Sequence, residues 1–236
     1  MKVLITGSAR GIGASVAASL GAQGHHVAVH YRRSSTDAER VAQWIQAAGG
    51  AACIVAGDVT DPVQARTLVD AAVSEMVGLD VLINNVGGFL LKDLADVTPE
   101  EWTQQLASTV SATFFVTLAA LPALRDSGRG RIVNFSDSSA DKIMARPRST
   151  PYSIGKTGVL ILTRSLAVSE APHQITVNAI LPGVMDNSNP LPDPFQIPAM
   201  RHGTSDDVLA AVNYLISEEA AYVTGAFIHV GGGWNL

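Results

Sequence analysis

Thr6-Gly7-Ser8-Ala9-Arg10-Gly11-Ile12-Gly13 closes a strand-like run over residues 2–6 and opens an Ala-rich helical segment. The chain there must turn sharply and leave backbone N–H groups open at the positive end of a helix, an arrangement that accepts a pyrophosphate. A glycine-rich turn alone is a weak sign, and its weight comes from what surrounds it. Short β-branched runs at 2–6, 26–31, 52–56, 81–84, 131–136, 176–181 and 226–230 alternate with longer helical stretches that start near Gly11, Ser35, Asp61, Thr98, Thr150 and Thr204. Several of these starts carry an N-cap residue or a first-turn proline, as at Asp61-Pro62 and Thr98-Pro99. The pattern predicts an α/β fold: a doubly wound parallel sheet of about seven strands with helices on both faces.

The 236 residues carry no repeat and no low-complexity linker, so residues 1–236 are expected to form a single dinucleotide-binding and catalytic domain. Hydrophobic residues make up 47% and charged residues 16%, which excludes a disordered chain. A net charge of -5 offers no positive field for a nucleic acid. The single cysteine, Cys53, permits no internal disulfide, and a reducing, cytoplasmic setting is expected. No apolar run reaches the roughly 20 residues of a membrane span, so no membrane association is expected. His25, His26 and His30 flank the second strand without a carboxylate at ligand spacing, and no metal site is predicted. They are read as packing or surface residues, as are Trp44, Trp102 and Trp234. Residues 182–200, rich in proline, form a long loop beside the strand ends, the usual place of a substrate-binding segment.

In the turn, Gly7, Ser8, Arg10, Gly11, Ile12 and Gly13 are the candidate pyrophosphate contacts. At the end of the second strand, where an NAD site places an acid, the run is His30-Tyr31-Arg32-Arg33-Ser34. Two guanidiniums and no carboxylate favour a 2′-phosphate, hence NADP(H), with Tyr31, Arg32, Arg33 and Ser34 around it. Asp58-Val59 ends the third strand, where a carboxylate can accept from an adenine amino group. Tyr152 and Lys156 stand four apart near the start of a helix and share one face. A phenol with an ordinary pKa near 10 must be acidified by about 4 kcal/mol to donate a proton near neutrality. One ammonium about 4 Å away supplies roughly that at an effective dielectric near 20.

With these features the sequence resembles the short-chain dehydrogenase/reductase family over essentially its full length. The glycine pattern, Asn84-Asn85-Val86-Gly87, Tyr152-Ser153-Ile154-Gly155-Lys156 and Pro182-Gly183 occur in the family's order. The resemblance implies a Rossmann fold, Tyr152 as general acid, and Lys156 holding the nicotinamide ribose and lowering the Tyr pKa. It implies that Asn85, Val86 and Gly87 line the cofactor, that the Val184 backbone after Pro182-Gly183 meets the carboxamide, and that Asn187 takes a frequent Thr position. It also implies a homotetramer or homodimer, joined through the helices spanning 98–124 and 150–169. Three departures stand out. Asp137 occupies the family's Ser position in Asn134-Phe135-Ser136-Asp137, with Ser139 as the rival, since Asp137 to Tyr152 is two residues longer than the usual gap. Thr109 replaces the Asn that anchors a relay water. Gly231-Gly232-Gly233 replaces an Asp-Gly-Gly, read as a structural change.

An ionised Asp opposes the oxyanion of ketone reduction but suits a C=N bond, whose nitrogen gains a proton. Asp, Tyr and Lys together resemble the pteridine reductase branch, as do the His30 to Ser34 run and Phe89, placed to stack on a flat heterocycle. Gly87 and Gly88 lack that branch's serines. The first expectation is therefore an NADPH-dependent reductase acting on a small molecule with a pteridine-like C=N bond. The substrate contacts would be Phe89, Asp137 and Tyr152. The second is a ketone reductase of the 3-oxoacyl type, and the third a non-catalytic dinucleotide sensor.

Overall fold

A computed structural model describes residues 1–235 and arranges the β-branched runs as one parallel sheet. Its strands are β1 Lys2–Ile5, β2 His26–Tyr31, β3 Ala51–Ala56, β4 Val81–Asn84, β5 Arg131–Phe135, β6 Thr176–Pro182 and β7 Phe227–Val230, in the order β3-β2-β1-β4-β5-β6-β7. Their ends differ from the sequence expectation by single residues. The order reverses between β1 and β4, which pair in register from Val3 with Val81 to Ile5 with Ile83. Beyond their carboxyl ends a reversal of this kind opens a crevice that no crossover fills.

Among the described residues seven α-helices cover the sheet: α1 Gly11–Ala22, α2 Ser35–Ala47, α3 Pro62–Met76, α4 Pro99–Leu106, α5 Ala112–Asp126, α6 Thr150–Glu170 and α7 Ser205–Ile216. The period of two along β1 divides the core. Val3 and Ile5 face α1, α2 and α7 through Val16, Leu20, Ile45 and Val212. Leu4 faces the opposite layer, where Leu68, Val116, Leu124 and Ala167 converge. Each such fully buried aliphatic chain contributes about 1.5–3 kcal/mol. The cap residues act as their types require. Asp61 accepts from the Val63 and Gln64 N–H groups, and Thr98 with Glu101 and Thr204 with Asp207 form capping boxes.

The helix expected from Thr98 is interrupted by a π turn over Ala107–Ser111, so that Pro99–Asp126 forms a continuous 28-residue rod. It corrects the expectation about apolar length, because by length and composition this rod is long enough to cross a membrane. Here it is a core helix. Ala112, Val116, Ala120 and Leu124 pack into the sheet layer, and the Thr113 hydroxyl is returned to the Thr109 carbonyl at 3.0 Å. The long segment between β6 and α7 contains one short 3₁₀ turn, Pro194–Gln196, and is pinned back to its start by a bridge between Met185 and Gly203.

Candidate active site

At the end of β1 the glycine-rich turn is fixed by hydrogen bonds from three directions. The Asn85 Nδ2 donates to the Thr6 carbonyl at 3.0 Å and the Gly7 carbonyl at 3.3 Å, and the Asn85 N–H donates to Thr6 Oγ1 at 2.9 Å. Ser8 Oγ donates to the Ile5 carbonyl and accepts from the His30 N–H. The Gly7 N–H donates to His30 Nδ1 at 2.8 Å, and His30 Nε2 bonds the Gly57 carbonyl at 3.0 Å. Gly7 and Gly11 adopt φ of +65° and +56°, conformations that disfavour side chains. At Gly13 a Cβ would lie 2.6 Å from Asn85 Nδ2 and 2.7 Å from the Gly7 carbonyl, so only glycine fits between the turn and the helix. These constraints leave an open backbone cradle at the α1 N-terminus, which fits a dinucleotide pyrophosphate.

Of the cavities bordering this cradle, two reach the other candidate residues. One, about 550 Å³, has walls from Arg10, Ile12, Gly13, Asn85, Gly87, Phe89, Asp137, Tyr152, Lys156, Pro182, Gly183, Val184 and Asn187. Trp234 also contributes, contrary to its reading as a packing residue, while Trp44 and Trp102 lie exposed on the surface. The second cavity lies beside β2 and β3 and includes Gly7, His30, Arg32, Asp58, Val59 and Val86. Tyr31, Arg33 and Ser34 lie at the β2–α2 junction and are not in either wall; Arg33 is exposed.

The arginines are not as free as the run at β2 suggested. Arg32 pairs with Asp58 at 3.3 Å, and Asp58 Oδ1 also accepts from the Thr60 N–H and hydroxyl. Although partial burial works against it, those Thr60 bonds and the Arg32 charge hold the Asp58 carboxyl below its ordinary pKa. Arg10 is paired with Asp37 in the first turn of α2, and Arg40 reaches the same carboxylate at 3.2 Å. The run itself holds no acid, but Asp37, just beyond it on α2, occupies Arg10 and Arg40. The Asp37 and Arg40 spacing of three was a readable sign.

On the opposite wall Tyr152, half-buried on the first turn of α6, directs its hydroxyl to Asp137 Oδ2 at 3.3 Å. Asp137 Oδ1 accepts from the Ser139 N–H at 2.9 Å and from its hydroxyl at 2.5 Å. Asp137 is thus the side chain beside the phenol, and Ser139 braces it from behind. Lys156 is buried, with Nζ donating to the Phe135 carbonyl at 2.9 Å and standing 5.9 Å from the Tyr152 ring centre. Burial lowers its pKa to about 8, against the opposing pull of Asp137. The Tyr152 phenol moves the other way from the expected acidification. Burial, then the Asp137 charge and hydrogen bond, push its pKa well above the ordinary tyrosine value. Phe89 meets Tyr152 edge-on, with ring centres 4.8 Å apart.

Thr109 lies buried in the π turn and returns its hydroxyl to the Gln105 carbonyl at 2.8 Å. It therefore turns its hydroxyl onto its own helix, not into the cavity. Gly155, the last residue of the Tyr-to-Lys spacer, exists because of it: a Cβ there would fall 2.0 Å from Thr109 Oγ1. Gly183 is held the same way, its Cβ position lying 2.6 Å from the Gly231 Cα; in the triplet near the C-terminus a Cβ at Gly232 or Gly233 would lie 2.9 Å from Ala199 or Pro198, whereas one at Gly231 would meet only ordinary contacts. Among the described residues no group of three His, Cys, Asp or Glu side chains gathers at ligand distance.

Residues 7–235 match the family described as enoyl-(acyl carrier protein) reductase. The 3-oxoacyl-(acyl-carrier-protein) reductase of Staphylococcus aureus is 35% identical over 241 residues, covering 99% of this chain and 97% of the relative. Among solved structures, a short-chain dehydrogenase from Burkholderia cenocepacia in complex with NADP superposes with a TM-score of 0.92 at 31% identity, over 100% of this chain and 98% of the other. The landomycin C-6 ketoreductase, with bound NADP and rabelomycin, does so with a TM-score of 0.90 at 31% identity, over 99% and 96%.

Proposed function

The chain belongs to the short-chain dehydrogenase/reductase family, and from that premise we propose that it is an NADP(H)-dependent oxidoreductase that reduces the ketone of a 3-oxoacyl thioester or a comparable small carbonyl compound. The observation that carries the reductase reading is the joint placement of the Tyr152 hydroxyl, Lys156 and the glycine-rich turn on the walls of one cavity. The ketone reading draws its support from the relatives, whose names describe 3-oxoacyl and ketone reduction. Bound NADPH supplies the hydride in this chemistry. The cradle at Gly7 to Gly13 and Arg10 hold the phosphates, Asn85 to Gly87 and Val184 flank the nicotinamide side, and Lys156 holds the ribose. Residues 182–200 close over the substrate. Tyr152 gives its phenolic proton to the oxygen that becomes negative as the carbonyl is reduced.

Asp137 accepts a hydrogen bond from the Tyr152 hydroxyl at 3.3 Å, and its charge opposes release of the phenolic proton to a substrate oxygen. The same contact favours the second reading, reduction of a pteridine-like C=N bond, because a substrate nitrogen that gains a proton becomes positive and is stabilised by an adjacent carboxylate.

Asp137→Ser separates the two readings. NADPH oxidation is followed with a 3-oxoacyl thioester and with a dihydropterin, on both forms of the enzyme. For a ketone reductase the variant keeps or raises thioester turnover, by up to about tenfold. For a C=N reductase it loses pterin turnover by about a hundredfold, and a wild type inert toward the thioester would overturn the ketone reading. Assembly as a homo-oligomer belongs to the same proposal, with Phe114 and Leu118 on α5 and Ile161 and Val168 on α6 as the apolar residues that a second copy would cover. A cytoplasmic setting accords with the lone, half-buried Cys53.

A further inference from the structure

His30 is a buried polar side chain that the reaction does not use. It is 2% exposed, yet both ring nitrogens are engaged, and with groups of opposite character. The Gly7 N–H is a donor, so Nδ1 must present its lone pair; the Gly57 carbonyl is an acceptor, so Nε2 must carry the hydrogen. One tautomer of the neutral ring satisfies both. Through it the imidazole ties the ends of three adjacent strands, with Gly7 after β1, His30 on β2 and Gly57 after β3. It also forms part of the wall of the second cavity.

We propose that His30 is a positioning residue for the dinucleotide: its neutral ring fixes the glycine-rich turn from beneath, so that cofactor affinity, not the chemical step, weakens when the ring gains a proton. The inference rests on the reading of the crevice as a cofactor site. A doubly protonated ring would set Nδ1–H against the Gly7 N–H, two donors at 2.8 Å, and the turn would have to shift. The charges around the ring are few. From the turn after β3 the Asp58 carboxylate faces it and favours its protonation; Arg32, just past the end of β2, pairs with that carboxylate. Burial outweighs the Gly57 bond and the Asp58 charge, so the ring stays neutral to a lower pH than a free histidine. The stabilisation from the neutral ring is complete above the free-histidine value of 6.5 and is lost as pH falls toward the lower folded value.

The test is NADPH titration by fluorescence from pH 5 to 8.5, on wild type, His30→Asn and His30→Phe. Asn offers an acceptor to Gly7 that does not titrate. The expected result is a wild-type Kd that rises about tenfold in the acid limb, a His30→Asn Kd within about threefold of the neutral wild type and flat with pH, and a His30→Phe Kd about tenfold higher throughout. Turnover at saturating NADPH and neutral pH should stay within about twofold in all three. A His30→Asn variant with the wild-type acid slope overturns the proposal, even if His30→Phe does not fold. Failure of the wild type to bind NADPH at pH 8 would instead overturn the cofactor reading.

Discussion

The crevice joins two walls built on different terms. Along β1, β2 and β3 the contacts are mostly backbone groups and the side chains that brace them: Gly7 on His30, Ser8 on Ile5, Asn85 on Thr6. Along β4, β5 and α6 the contacts run from side chain to side chain, as in Tyr152 to Asp137 and Asp137 to Ser139, or depend on a missing side chain, as at Gly155. In the proposed function the first wall would hold a phosphate ester, for which backbone N–H groups suffice. The second would match one substrate, and there the chain departs from the pattern implied by the family resemblance at Asp137 and Thr109. Binding and reaction would then be separable in space, and substitutions can test how far.

The largest effect is expected at Tyr152. Tyr152→Phe should lower turnover by about a thousandfold while the NADPH Kd changes less than threefold. Stopped turnover with intact binding upholds the separation of the walls, whereas a collapse of binding would merge them. A wild type that binds NADPH but turns over no carbonyl or C=N substrate, with binding unaltered in this variant, would point to the sensor reading, in which no phenolic acid is needed.

A smaller effect tests the packing behind the reacting wall. Gly155→Ala should destabilise the protein by about 2 kcal/mol in denaturant melts, because its methyl collides with the Thr109 hydroxyl. Thr109→Ala in the same chain should recover most of the loss. Full additivity of the two substitutions would show that α5 and α6 accommodate the clash elsewhere.

The smallest is expected at Asp37. Asp37→Asn frees Arg10 and Arg40 from their shared carboxylate, and NADPH should bind about threefold tighter with a smaller gain for NADH, an effect that shrinks at high salt. Weaker NADPH binding would mean that Asp37 aims the guanidiniums rather than occupying them.

The seven strands, the helix starts and the cradle were readable because each depends on local periodicity, caps or glycine spacing. Asp137 was placed correctly beside Tyr152 by counting from the end of β5, since a strand fixes the direction of its last side chains. His30 was not readable as more than a packing residue. Its partners lie 23 and 27 positions away, and only the register of β1, β2 and β3 brings them together. Gly155 was equally silent, because its reason is a side chain on another helix. The direction of the Tyr152 pKa was misjudged because the Tyr-to-Lys spacing carries no information about burial or about the carboxylate across the loop.

The lock between Thr6 and Asn85 has a meaning for recombination among relatives. Asn85 grips two carbonyls of the first turn, while Thr6 Oγ1 accepts from the N–H groups of both Asn85 and Val86. A chimaera that joined the first three strands of one homologue to the remainder of another would place its crossover between these partners. Such a splice inherits an intact crevice only when positions 6 and 85 travel as compatible parents, which makes this pair, rather than Tyr152 or Lys156, the seam along which the scaffold can be exchanged.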